Sequence, residues 1–314
     1  MGSILIMGGD IIFTGCSFTW GQGLWSYCPS DIKMPTEKEY IEKGYAVPDV
    51  GEFFRIDNRF ASLVSNHFYS REIIKRWNGG TDDESIKFIE DVRKNWVTRH
   101  SLLTENVIWD NVKYIVFQTT QPYRSPFTFH YKNKEYQVIS EPGMHNLERV
   151  QEIIRWTDED CPECDNNIKD TIEHSNLDIF LDWLIDNNLS VDDFSEIHLK
   201  HMSGRIKECL KHYEETYGIK TLIVSWTEEY LPYFINDEFC NERLVRLKYN
   251  SKEFDCIQHL FQENNKFEIL NDDETLHETG TDGHPSLKCH RVIADSLIER
   301  ITHENEKQDK IDNG

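Results

Sequence analysis

A hydroxyl, an imidazole and a carboxylate stand in two short segments near opposite ends of the 314-residue chain. Gly15-Cys16-Ser17-Phe18-Thr19-Trp20-Gly21 follows a short apolar run, and Thr281-Asp282-Gly283-His284-Pro285-Ser286 precedes apolar residues at helical spacing. A serine becomes a nucleophile beside a base, and an imidazole serves as that base when a carboxylate orients it. Ser17, His284 and Asp282 supply those three groups. Each segment has a plainer reading by itself: Ser17 caps a helix, and Asp282-Gly283-His284 is a turn with Pro285 at the first helical position. Their pairing, as the first and last core elements of one sheet, favours nucleophilic attack on an acyl carbon.

Positioning these groups requires strands that end where they begin. Asp10 to Thr14 is apolar and β-branched and stops at Gly15, as a buried parallel strand entering a tight turn does. The Ser17 hydroxyl then stands at the carboxyl end of a central strand, where open α/β sheets bind ligands. Phe60, Leu63, Val64 and Phe68 predict a helix, Glu72 to Trp77 a strand ending in Asn78-Gly79-Gly80, and Ile86, Phe88, Ile89 and Val92 a second helix. Val112 to Gln118 is the clearest strand, cut off before Pro122. Leu177 to Leu184 is periodic, Val191 to Tyr217 reads as a long helix stopped by Gly218, and Thr221 to Trp226 as a further strand. Asn236 to Asn271 has no clean period; Leu287 to Ile301 is helical, and 302–314 is a polar, frayed tail. The alternation predicts an α/β fold, a central parallel sheet with helices on its faces, in a single domain over 1–314. Residues 125–175 break the pattern and read as an insertion after the third strand.

Composition removes other classes. With 34 Lys+Arg against 56 Asp+Glu the net charge is -22, which repels phosphate backbones, so no nucleic-acid partner is expected. The 17 Phe, 13 Tyr and 8 Trp supply the buried area that disordered chains lack. No stretch approaches the roughly 18 apolar residues of a membrane span, and Met1 to Asp10 lacks the basic start of a signal peptide, which predicts a cytoplasmic protein without a membrane partner. The eight cysteines are scattered through a chain too long to need disulfide staples and read as mostly reduced thiols.

The motifs resemble the signature blocks of the SGNH, or GDSL-type, hydrolase superfamily, and their order and spacing agree with it. The Gly-Cys-Ser-Phe-Thr opening looks most like proteins of phage and microbial genomes within it. That family opens with Gly-Asp-Ser-x-Thr-x-Gly after its first strand; Gly15, Ser17, Thr19 and Gly21 match, with Cys16 in the place of the aspartate. Gly80 matches the second-block glycine, whose N–H joins that of Ser17 in the oxyanion hole. Asp282-Gly283-His284 is similar to the shorter Asp-x-His form of the closing block; Thr281 stands where the longer form has its aspartate. The third block, Gly-x-Asn-Asp in the family, is replaced by Gln118-Thr119-Thr120-Gln121-Pro122-Tyr123-Arg124. Gln121 is the nearest match to the oxyanion asparagine and carries the same amide donors on a longer stem, while Thr120 and Arg124 are alternatives. The resemblance implies a three-layer α/β/α, flavodoxin-like fold and a serine esterase with a Ser17, His284, Asp282 triad, acting without cofactor on a small acyl ester such as an O-acetylated carbohydrate. Acyl transfer to another hydroxyl uses the same triad, and a fold that only binds carbohydrate or protein is the non-enzymatic alternative.

Other features have bland readings beside functional ones. Cys161-Pro-Glu-Cys164 is half of a zinc site without its other half, and the His198/His201 pair does not complete it, so no metal is expected. Pro122 to Tyr131 leaves the third strand beside Ser17, where Thr120, Tyr123 and Arg124 are candidate substrate contacts. Aromatic residues in an insertion more often build a small satellite core. Asp158-Glu159-Asp160 and Asn271 to Glu274 read as solvated acidic loops.

Overall fold

The computed structural model describes residues 8–16, 19, 24, 50–74, 81–94, 107–122, 125, 127–138, 177–263, 268–270 and 281–312. In chain order these form β1 (Asp10–Thr14), α1 (Val50–Asn58), α2 (Phe60–His67), β2 (Arg71–Ile74), α3 (Asp82–Arg93) and β3 (Val112–Gln118). A hairpin of β4 (Phe127–Tyr131) and β5 (Lys134–Val138) follows, then α4 (Leu177–Asp186), α5 (Val191–Tyr217) and β6 (Lys220–Val224). The last part holds α6 (Leu231–Ile235), α7 (Glu238–Arg243), β7 (Leu247–Tyr249), β8 (Lys252–Phe254), α8 (Ile257–Glu263), β9 (Glu268–Leu270), β10 (Thr281–Pro285) and α9 (Leu287–Asp312).

The fold is α/β, built on a four-stranded parallel sheet of order β2-β1-β3-β6. Successive side chains of a strand point to opposite faces, so a strand buried on both sides is apolar throughout. Ile11, Phe13, Tyr114, Val116, Leu222 and Val224 pack with α2, α8 and α9, whereas Ile12, Ile115, Phe117 and Ile223 pack with α3, α5 and α6. Parallel bridges from Ile223 to Leu244 and from Ser225 to Cys256 cover the β6 edge.

Helix directions orient this frame. Only three residues separate α2 from β2, so the start of α2 lies at the carboxyl edge of the sheet, and Phe60 meets Phe13 of β1 there with ring centroids 6.0 Å apart. Near the start of α9, His290 stacks on Phe60 at 5.8 Å, while Asn305 near its end accepts a 2.9 Å bond from Tyr114 Oη at the amino end of β3. Helix α9 therefore runs antiparallel to the strands and begins at their carboxyl edge.

Several expectations change. Val50–Asn58 is helical within a stretch that reads as polar, and the strand expected over Glu72 to Trp77 is described only over Arg71–Ile74. The unassigned region from Asn236 holds α7, β7, β8, α8 and β9, each too short to display a period. The tail expected to fray continues α9 to Asp312: Ile301 is buried, Arg300 pairs with Glu304 at 2.7 Å, and Asn305 is held by Tyr114. Asp282-Gly283-His284 lies within strand β10, whose ends Thr281 and Pro285 pair with β9 across an irregular register, and Pro285 ends that strand instead of opening the helix. Ser286 caps α9, accepting from Cys289 N–H at 3.3 Å.

The hairpin after β3 turns through Lys132 and Asn133, both at positive φ, and packs its aromatic residues on α4 and the first turns of α5. Phe127 and Phe180 each meet the Phe194 ring edge to face, at 4.8 and 4.7 Å. The aromatic stretch thus feeds a satellite core. No helix among the described residues is long and apolar enough to cross a membrane.

Candidate active site

Strand β1 ends in a glycine because nothing larger fits. Gly15 adopts φ +144°, and a Cβ there would lie 2.3 Å from Thr19 Oγ1 and 2.9 Å from Gln118 Oε1. The turn that follows folds directly against the end of β3. Gln118, fully buried, is the brace: its Oε1 accepts from Thr19 Oγ1 at 2.5 Å, and its Nε2 donates to Thr119 O at 2.7 Å with Cys16 Sγ 3.6 Å away. One amide holds residues on both sides of position 17. Ser17 itself lies outside the described residues.

The ends of β3 and β6 are joined past the ladder. Thr119 N–H donates to Val224 O at 3.0 Å, and Thr119 Oγ1 accepts from Trp226 N–H at 2.9 Å. Trp226 packs edge to face on Phe261, 5.2 Å away, and is buried rather than open to a ligand.

Between the second and third motif blocks stands Asp82, which the sequence reading passed over. Thr81 and Glu84 form a capping box that starts α3, so Asp82 is its first helical residue. It is fully buried, and its two carboxylate oxygens accept from Thr120 N–H at 2.8 Å and Tyr230 Oη at 2.7 Å. Burial raises its pKa to about 6, more than the hydrogen bonds from Tyr230 and Thr120 lower it. The Thr-x-x-Glu signature is visible in the sequence, but nothing there marks the following aspartate as buried.

Thr120 is fully buried, with its amide on Asp82 and its hydroxyl 3.3 Å from Gln121 O, so it supports the loop. Gln121 is half-buried, and its side-chain oxygen is buried without a hydrogen-bond partner among the described residues. An amide so placed is unsatisfied until something polar meets it. Pro122 O is held 2.9 Å from His198 Nε2, which donates to it from α5 between the rings of Phe127 and Phe194. His198 is buried while His201 is exposed, so the two do not share a metal, and no group of three or more His, Cys, Asp or Glu among the described residues can hold one.

His284 is half-buried on β10, just upstream of α9, and so belongs to the same carboxyl edge as Gly15 and Cys16. Behind it His290 is fully buried, its Nδ1 accepting from Phe60 N–H at 3.2 Å, which puts the imidazole proton on Nε2. Burial, then the charges of Arg59 and His284, hold the His290 pKa down at about 3. Arg59 is itself paired with Glu72 and donates to Ser62 Oγ at 3.2 Å.

Gly80, Tyr123, Arg124 and both Cys161 and Cys164 lie outside the described residues, as do the acidic runs at Asp158 and Asn271. So does the Asp282 side chain, although its backbone lies in β10. The described cysteines, Cys16, Cys209, Cys240, Cys256 and Cys289, are not joined in disulfides, and burial pushes the thiols of Cys209, Cys240 and Cys256 up to about 12. Such thiols are inert at neutral pH. No protein-family model, curated protein or solved structure matches the chain.

Proposed function

We propose that the chain is a serine esterase of SGNH-like, three-layer α/β/α architecture that cleaves a small acyl ester. In this reading Ser17 Oγ attacks the ester carbonyl as His284 accepts its proton, and Asp282 fixes the imidazole tautomer. The N–H groups of Ser17 and Gly80 and the amide of Gln121 stabilise the oxyanion. His284 returns the proton to the leaving alcohol, and water activated by the same imidazole releases the acyl group.

The observation that carries this reading is the Gly15 turn. A strand-end glycine at φ +144° is pinned against Thr19 and Gln118, at the edge of the sheet where α9 begins and His284 precedes it. An O-acetylated carbohydrate is the proposed substrate class.

Treatment of the purified protein with a fluorophosphonate, followed by intact-mass and peptide mapping, tests the assignment. One adduct on Ser17 is expected, absent from Ser17→Ala and His284→Ala. An unlabelled Ser17, under conditions where a known serine esterase reacts fully, removes the enzymatic reading.

A further inference from the structure

Three loops meet on one side chain at the carboxyl edge. Asp82 opens α3 at the end of the loop after β2, Thr120 belongs to the loop after β3, and Tyr230 to the loop after β6. The first of these carries Gly80 two residues earlier, and the second carries Gln121 one residue later. We propose that Asp82 is a positioning residue that holds the Thr120–Gln121 segment in register with the start of α3, so that the Gln121 amide is kept in place to act as an oxyanion donor. The inference rests on the esterase reading above.

A buried carboxylate without a cation is an expensive tie. No Lys, Arg or His among the described residues reaches Asp82; its oxygens meet Thr120 and the Tyr230 phenol. Both bonds are long in sequence and short in space, so each fixes the separation of two loops that the sheet alone leaves adjustable at their tips. Thr120 has no freedom left: its hydroxyl rests on Gln121 O and its side chain is fully buried. A shift at Asp82 therefore passes through a single peptide to Gln121. Misplacing an oxyanion donor by about 1 Å is enough to lose about 10²-fold in rate.

A purely structural tie and a positioning residue differ in what the folded variants do. Asp82→Asn keeps an acceptor for Thr120 N–H and offers Tyr230 an amide donor, so it is the conservative exchange; Asp82→Ala removes both bonds. Three measurements on the full chain decide between them: the rate of Ser17 phosphonylation, the kcat and KM for a chromogenic acetate ester, and hydrogen exchange at the Thr120 amide. We expect Asp82→Asn to label within about threefold of wild type, and folded Asp82→Ala to label about 10²-fold more slowly, with kcat reduced and KM little changed. Thr120 amide protection should be lost in Asp82→Ala only.

Folded Asp82→Ala that labels at the wild-type rate overturns the proposal. If Asp82→Ala does not fold, Tyr230→Phe decides: it frees one carboxylate oxygen and should slow labelling several-fold, and a wild-type rate counts against the proposal. Wild-type protein that fails to label, with Thr120 protection still dependent on Asp82, sinks the esterase reading and with it the catalytic purpose of the tie. Thr120 protection unaffected by Asp82→Ala removes the tie itself, whatever the labelling.

Discussion

Thr19 Oγ1 donates to Gln118 Oε1 across 2.5 Å, a bond between residues 99 positions apart that fastens the turn after β1 to the last residue of β3. Thr14 O lies 3.1 Å from the same hydroxyl, so the turn closes on its own strand as well. The candidate nucleophile at position 17 is thereby flanked by Cys16 and Thr19, both leaning on one buried amide.

Gln118→Leu should destabilise the fold, because it leaves Thr119 O without its donor and Thr19 with one acceptor fewer. Loss of a buried hydrogen-bond partner costs about 1–3 kcal/mol. Urea denaturation measures it, and a variant with an unchanged midpoint and slope would mean that the brace is dispensable.

At Gly15 an added methyl meets Thr19 Oγ1 at 2.3 Å and Gln118 Oε1 at 2.9 Å, on a backbone at φ +144°. Gly15→Ala should cost at least about 2 kcal/mol, from steric overlap together with an unfavourable dihedral. It should also abolish fluorophosphonate labelling, since the turn must move away from β3 to relieve the overlap. Normal labelling of a stable Gly15→Ala protein would place the nucleophile elsewhere.

The pH dependence of stability carries the signature of Asp82. Its pKa rises from 3.8 to about 6 on folding, so its contribution is fully present below about pH 4 and is lost as pH rises through 6. Asp82→Asn removes that loss. The stability of the variant relative to wild type should therefore increase by about 2 kcal/mol between pH 4 and pH 7. Denaturation curves at the two pH values give the difference directly, and a relative stability independent of pH would contradict the buried, unpaired carboxylate.

His290 acts in the opposite sense. Its pKa falls from 6.5 to about 3, so its contribution is present above pH 6.5 and is lost as pH drops towards 3. His290→Asn retains an acceptor for Phe60 N–H but has no proton to gain. Between pH 7 and pH 4.5 the wild type should lose about 2–3 kcal/mol more than the variant. Equal losses would mean that the ring is charged or exposed at low pH.

Much of the frame is legible in the residues. Val112–Gln118 and Val191–Tyr217 have the expected ends: the first is a run rich in β-branched and aromatic residues, the second a long helical period. Gly218 stops α5 in the left-handed conformation, at φ +67°. The elements from Glu238 to Glu263 were not legible: Leu247, Phe254, Ile257 and Leu260 are buried, yet they lie on pieces of three to seven residues, too short for any period. The end of α9 misleads for the complementary reason. Its polar residues beyond Ile301 look solvated, but Asn305 is held by Tyr114, nearly two hundred positions away.

At the candidate site the division is sharper. The residue types, the strand-end glycine and the order of the motif blocks are properties of the sequence, since each depends on near neighbours: an apolar run, a turn, a capping box. The support beneath them is tertiary. Gln118 meets Thr19, and Asp82 meets both Thr120 and Tyr230, the latter 148 positions away, because the β2-β1-β3-β6 order brings successive strand ends together. That order is set by burying both faces of the sheet under helices, and local spacing does not encode which polar residue then faces which.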